Sequence, residues 1–244
     1  MKYKDNEVCN LEELIDSYGN NEFSSPFRST IPLIELVFHN ESVIEKLIPS
    51  FQKYNCVFEY GTPVESGKGK ASCTDLMVYN DRQAFCIEAK RTEPAYPTVT
   101  EWANSGNNRK NRELVLSGWI SLINKRCGTN LAFKDVEGLP YQMIHRLASA
   151  CKINENSELM YFCFDLGDES CSYYENCLEK LSVLIDKKLP IKLVEFDIKR
   201  SEEFASLEKK WSSRFGKMDL SDDVQQLMIE EKIMDITIKS FKEF

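Results

Sequence analysis

Only two histidines, His39 and His145, occur among 244 residues, and no serine or cysteine nucleophile pattern surrounds either. A hydrolase triad is therefore unsupported. No Cys-x-x-Cys pair is present, and the nine cysteines are an odd number. That argues against a disulfide framework and for a reducing, cytoplasmic setting. Cys163, Cys171 and Cys177 follow no common metal or iron–sulfur spacing, and Cys163 reads as a small core residue in an apolar strand. The Gly-x4-Gly-Lys-Ser/Thr loop is missing, so ATP binding has no support. No apolar run approaches the length of a membrane span, and Met1 to Glu7 lacks the apolar stretch of an export signal. No repeat, low-complexity tract or linker divides the chain, so residues 1–244 are expected to form one domain.

What is present suits a globular protein: 42% apolar and 29% charged residues, with length enough to bury a sizeable core. A net charge of −8 argues against nucleic-acid binding by the whole surface. The charges are unevenly spread, however. Residues 60–152 hold 13 Lys/Arg against 9 Asp/Glu, a net of +4, which leaves −12 for the remainder. Contact with a polyanion would then be confined to one cleft and be strongly salt dependent.

Apolar spacing predicts a short helix at 11–15 and a longer helical region from Thr30, with Pro32 in its first turn and a break near Asn40. Residues 56–60 read as a strand ended by Gly61-Thr62-Pro63. Residues 92–110 read as a polar loop, punctuated by Pro94, Pro97 and Gly106. Helices are expected at about 111–125, 140–153, 170–187 and 200–215, and helical spacing continues from Val224 to Ile236. Strands are expected at 159–166 and 191–198. The fold class is α/β: a mixed central sheet flanked by helices, with a core at about 28–200 and a helical C-terminal extension over about 200–244.

Asp75, Glu88 and Lys90 stand out because they interrupt two strand-like segments, Thr74 to Tyr79 and Ala84 to Lys90. A buried charge is costly unless it is paired or holds a metal. Alternation puts Glu88 and Lys90 on one face, with Phe85, Ile87 and Ala89 on the other. If Asn80 to Gln83 form the whole turn, Asp75 lies opposite Glu88; if only Asn80 and Asp81 do, it lies opposite Cys86. Both registers place the three charges on one face. Two carboxylates so close repel unless a cation lies between them or one is protonated. A divalent metal beside an ammonium is the chemistry of assisted phosphodiester cleavage.

Asp75, twelve residues, then Glu88-Ala89-Lys90 resembles the Asp…Glu-x-Lys signature of the PD-(D/E)XK nuclease superfamily, whose fold is restriction-endonuclease-like. Thr74 stands where the name-giving proline would be. The flanking Gly67-Lys68-Gly69-Lys70 and Arg91-Thr92-Glu93-Pro94 resemble an uncharacterised bacterial branch of restriction-type enzymes. The resemblance implies a Mg²⁺-dependent deoxyribonuclease, more in the manner of an endonuclease of restriction, defence or repair, with Mn²⁺ as a substitute and RNA as a rival substrate. Asp75, Glu88 and the Ala89 carbonyl would hold the metal, with Glu35 completing the site from the preceding helix, and Lys90 would assist the attacking water. Glu59 and Glu93 are weaker candidates for a second metal. Lys68, Lys70, Arg91, Arg109, Lys110 and Arg112 could contact phosphates, Gln142 could approach the phosphate, and Tyr96 and Trp102 could stack on bases. Restriction-type relatives also suggest a homodimer. The alternative is a catalytically inactive module of the same fold that binds nucleic acid or protein.

Overall fold

The computed structural model describes residues 1–244. Two short strands, β1 (Lys2–Tyr3) and β2 (Asn6–Glu7), lead into α1 (Leu11–Tyr18), where Asn10 caps the helix by accepting the Glu13 amide. The helical region from Thr30 is split at Asn40 into α2 (Thr30–His39) and α3 (Glu41–Leu47). Strands β3 (Asn55–Thr62), β4 (Ser72–Tyr79) and β5 (Ala84–Lys90) follow. Next come α4 (Val99–Asn104), α5 (Arg109–Cys127), α6 (Phe133–Val136) and α7 (Tyr141–Ile153). The chain closes with β6 (Ser157–Phe164), α8 (Asp168–Leu184), β7 (Ile191–Arg200), α9 (Glu202–Ser213), α10 (Ser221–Glu230) and β8 (Met234–Glu243).

Two elements correct the sequence expectations. Helix α4 stands inside the segment expected to be loop, started by a reciprocal cap in which Thr98 and Glu101 each satisfy the other's amide. At the other end, helical spacing does not run on to Ile236. Helix α10 stops at Glu230, and Met234, Ile236 and Ile238 then alternate along β8, which pairs antiparallel with β7. The C-terminal region is thus two helices and a strand of the main sheet, not a wholly helical extension.

All eight strands form one mixed sheet in the order β2-β1-β3-β4-β5-β6-β7-β8. β5, β6 and β7 run parallel, as their helical crossovers require, and β3, β4 and β5 form an antiparallel meander. Each face carries its own core. Phe85, Ile87 and Ala89 pack with α1, α2, α3, α9 and α10, through residues such as Ile15, Ile34, Ile44, Phe204 and Met228. Cys86, Leu159 and Tyr161 pack with α5, α7 and α8, through Trp119, Leu147 and Leu181. No helix is long and apolar enough to cross a membrane.

Candidate functional site

The turn between β4 and β5 holds all four residues Asn80 to Gln83, since Tyr79 pairs with Ala84 and Leu76 with Ile87. The Asn80 side chain fixes it by accepting the Arg82 and Gln83 amides at 2.8 and 3.0 Å. Beyond the Leu76–Ile87 pair the β4–β5 ladder stops, although β4 stays paired with β3 as far as Ser72. Asp75 fills that opening. Its Oδ2 accepts the Ala89 backbone N–H at 2.8 Å, supplying the bond the ladder no longer makes.

Glu88 and Lys90 point toward α7, on the face away from Ile87 and Ala89. The Lys90 ammonium donates to Glu88 Oε1 at 2.6 Å, and Arg146 Nε donates to Glu88 Oε2. All three side chains are buried. Burial opposes the Glu88 charge, but Arg146 and Lys90 together hold its carboxyl below the usual range. Burial also opposes the Lys90 charge, yet Glu88 and Asp75 keep that ammonium firmly protonated. Asp75 is the opposite case. It forms no ion pair, its Oδ1 has no donor, and burial and the Glu88 charge push its carboxyl well above the usual range, against the pull of Lys90 and Arg146. The site therefore carries one carboxylate held charged by two cations and one carboxyl that burial favours in its neutral form.

Glu59 adds a further carboxyl. It lies opposite Asp75, between the Phe58–Leu76 and Tyr60–Thr74 pairs, with φ of 54° in mid-strand. A left-handed backbone costs a non-glycine residue about 1–3 kcal/mol, and such strain concentrates at functional sites. Burial raises the Glu59 carboxyl, with Glu22 and Glu88 adding to the rise against the Arg146 charge.

Glu35 does not join the site. It is fully buried, but it lies on α2, against the sheet face that carries Ile87 and Ala89. Its carboxylate meets His39 Nδ1 at 3.0 Å and the Ile233 amide at 3.3 Å. The strand alternation that aims Glu88 at α7 puts the sheet between it and Glu35.

The expected phosphate contacts divide. Arg91 is buried, donating to the Pro26 carbonyl and pairing with Glu208, so it braces α9 against the end of β5. Arg112 donates to the Trp102 carbonyl and Ser105 and lies over the Trp102 ring. Trp102 also stacks on Tyr141 at 3.5 Å, so its ring is used in packing the loop. Glu93 accepts the Arg91 amide. Arg109 is exposed and pairs with Glu113. Lys68, Lys70 and Lys110 are exposed. The loop carrying Lys68 is clamped to α5 by Asn111, which accepts the Lys68 amide and donates to its carbonyl. Gly67, at φ +74°, permits that clamp, because a Cβ there would lie 2.9 Å from Val115. Tyr96 brings its hydroxyl to 3.5 Å from the Lys90 ammonium.

Arg146 is the residue that sequence reasoning missed as part of the site. Its signal was a cation on the apolar stripe of α7, three residues after Met143 and four before Ala150. Beside it, Ser72 Oγ accepts from Arg146 Nη1 at 2.8 Å and lies 2.7 Å from His145 Nδ1. Burial and the Arg146 and Lys90 charges keep His145 neutral by pushing its pKa well down. Arg146 Nη1 also faces His145 Nδ1 at 3.3 Å, and a guanidinium can only donate, so Nδ1 accepts and the ring proton sits on Nε2.

Away from this centre, Cys171, Glu175 and Glu195 bring ligand atoms within 4.8 Å of one another, without Cys163 or Cys177. Glu195 is already bonded to Ser240 and Lys239, and Glu175 to Lys242. All nine cysteines are unpaired thiols.

A family model described as a domain of unknown function, DUF6946, matches residues 8–196, so the chain belongs to that family. No curated protein and no solved structure matches the chain.

Proposed function

We propose that this member of the DUF6946 family is a Mg²⁺-dependent nuclease of the PD-(D/E)XK type, acting on phosphodiester bonds of DNA. The observation that carries the reading is the opening between β4 and β5, where Asp75, bound only by the Ala89 amide and without an ion-pair partner, stands beside Glu88. Hard carboxylate oxygens and a free Asp75 Oδ1 fit a hard divalent cation. Asp75 and Glu88 would hold it beside the Ala89 backbone. When bound, the metal supplies Lewis acidity at the phosphate.

The protein's own groups do the rest. Lys90 has three N–H donors, gives one to Glu88 and a weaker one to the Tyr96 hydroxyl, leaving one for the attacking water or a phosphate oxygen. Arg146 fixes the orientation of Glu88 and is a positioning residue. Exposed Lys68, Lys70 and Lys110 would meet neighbouring backbone phosphates. The non-catalytic alternative draws on one observation: both Glu88 oxygens already accept from cations, as a purely structural ion-pair hub would.

The test is cleavage of plasmid DNA, and of matched DNA and RNA oligonucleotides, in Mg²⁺ or Mn²⁺. The wild-type protein cuts DNA, EDTA stops it, and Lys90→Ala slows it by about 10²–10³-fold. Absence of wild-type cleavage in either metal, or equal cleavage by Lys90→Ala, refutes the reading. Preferential cleavage of RNA would correct the substrate.

A further inference from the structure

A pocket of about 420 Å³ opens beside the carboxylates, between the Lys70–Cys73 segment, Tyr96, Trp102 and the first turn of α7. No aspartate or glutamate lines it, although the chain carries 39 of them. Its polar wall consists largely of donors. Arg146 is only 7% exposed; its Nε and Nη1 are engaged by Glu88 and Ser72, while Nη2 has no protein acceptor. His145 lines the same wall with its Nε2–H unpartnered. Helix α7 begins there without a capping side chain, because Pro140 occupies the cap position. The Gln142 amide has no backbone acceptor, and its side chain makes no hydrogen bond. Lys70 stands exposed at the rim.

A buried guanidinium edge, an imidazole N–H, the free Gln142 amide in the first turn of α7, whose Tyr141 amide is taken by the Pro97 carbonyl, and an ammonium, all facing one cavity without a carboxylate, favour an anion with several oxygens. We propose that this pocket is a phosphate subsite, holding a phosphate of the substrate other than the one cleaved at Asp75 and Glu88. The identity of that substrate rests on the nuclease reading; the affinity for phosphate does not. Arg146 links the two places, since it binds Glu88 with one edge and faces the pocket with the other. The shared chemistry is a phosphate oxyanion, from either a strand-terminal monoester or an internal diester.

The experiment is titration of the full chain with inorganic phosphate in EDTA, followed by calorimetry and ³¹P NMR. Saturable binding is expected, weakened at least about tenfold in Lys70→Glu and in Gln142→Glu, each checked for an unchanged thermal melt. No saturable binding at about 10 mM phosphate, or equal binding by folded variants, overturns the subsite. Oligonucleotides bearing a 5′-phosphate, a 3′-phosphate or neither then compete with inorganic phosphate. Stronger competition by one phosphorylated end assigns a terminal phosphate, and equal competition by all three assigns the backbone. Competition by none overturns the link to nucleic acid. Phosphate binding in a protein that cuts nothing would keep the pocket and discard the nuclease.

Discussion

Replacing Arg146 by methionine keeps most of the buried stem and removes the guanidinium from Glu88. Glu88 would then keep only Lys90 as a charged partner, and Ser72 and His145 would lose a donor. Removing one member of a buried pair costs about 3–5 kcal/mol, because the remaining charge is left in low dielectric. For a chain of this size each kcal/mol shifts Tm by about 2–4 °C, so the variant should melt about 6–20 °C lower. The loss has a pH signature. Folding lowers the Glu88 carboxyl, so its contribution is full above the ordinary glutamate value and is lost as pH falls through the lowered one. Arg146→Met therefore differs most from wild type near neutrality and least in acid. Adding Glu88→Gln should restore about 0.5–3 kcal/mol relative to additivity, because the stranded charge is gone. Urea denaturation of the four proteins between pH 4 and pH 8 measures all of this. A loss below about 1 kcal/mol at pH 7, or strict additivity, would show that Arg146 does not hold Glu88 as described.

Asp75→Asn should abolish cleavage yet stabilise the metal-free protein by about 0.5–2 kcal/mol at neutral pH. Folding raises the Asp75 carboxyl, so wild-type stability falls as pH climbs from the ordinary aspartate value through the raised one, and asparagine escapes that fall. A variant less stable than wild type at pH 7 would contradict this. Glu35→Gln should leave cleavage and Mn²⁺ affinity unchanged, since Glu35 faces His39 and Ile233; lost metal affinity would return it to the site. Lys68→Ala and Lys110→Ala should each flatten the salt dependence of DNA binding by about 0.7–0.9 in slope. Arg91→Ala should lower the melting temperature and leave that slope alone, because Arg91 is spent on Glu208 and Pro26.

The central hairpin was legible because its signals are local. Asn80 to Gln83 mark a turn, the flanking residues alternate, and the charges at 75, 88 and 90 violate the apolar pattern where a site needs them. Periodicity likewise exposed α5, α7, β6 and β7, whose apolar stripes face the cores. Errors arose where the deciding contact is distant or the local signals conflict. Pro94 and Pro97 suggested loop and hid the Thr98–Glu101 cap that starts α4. No proline or glycine separates α10 from β8, so Ile236 continues a helical count although its pairing with Ile198 of β7 makes it sheet. The family pattern puts Glu35 in the metal site, but which sheet face α2 covers is a tertiary fact. Arg146 required knowing that α7 lies over β5.

The most direct test of the metal-site claim is the location of Mn²⁺ by anomalous scattering in crystals of the wild-type protein and of Asp75→Asn. A peak is expected between the Asp75 and Glu88 carboxylates in the wild type and none in the variant. A wild-type crystal saturated with Mn²⁺ that shows no peak there, with Lys90 and Arg146 still closed on Glu88, would contradict it.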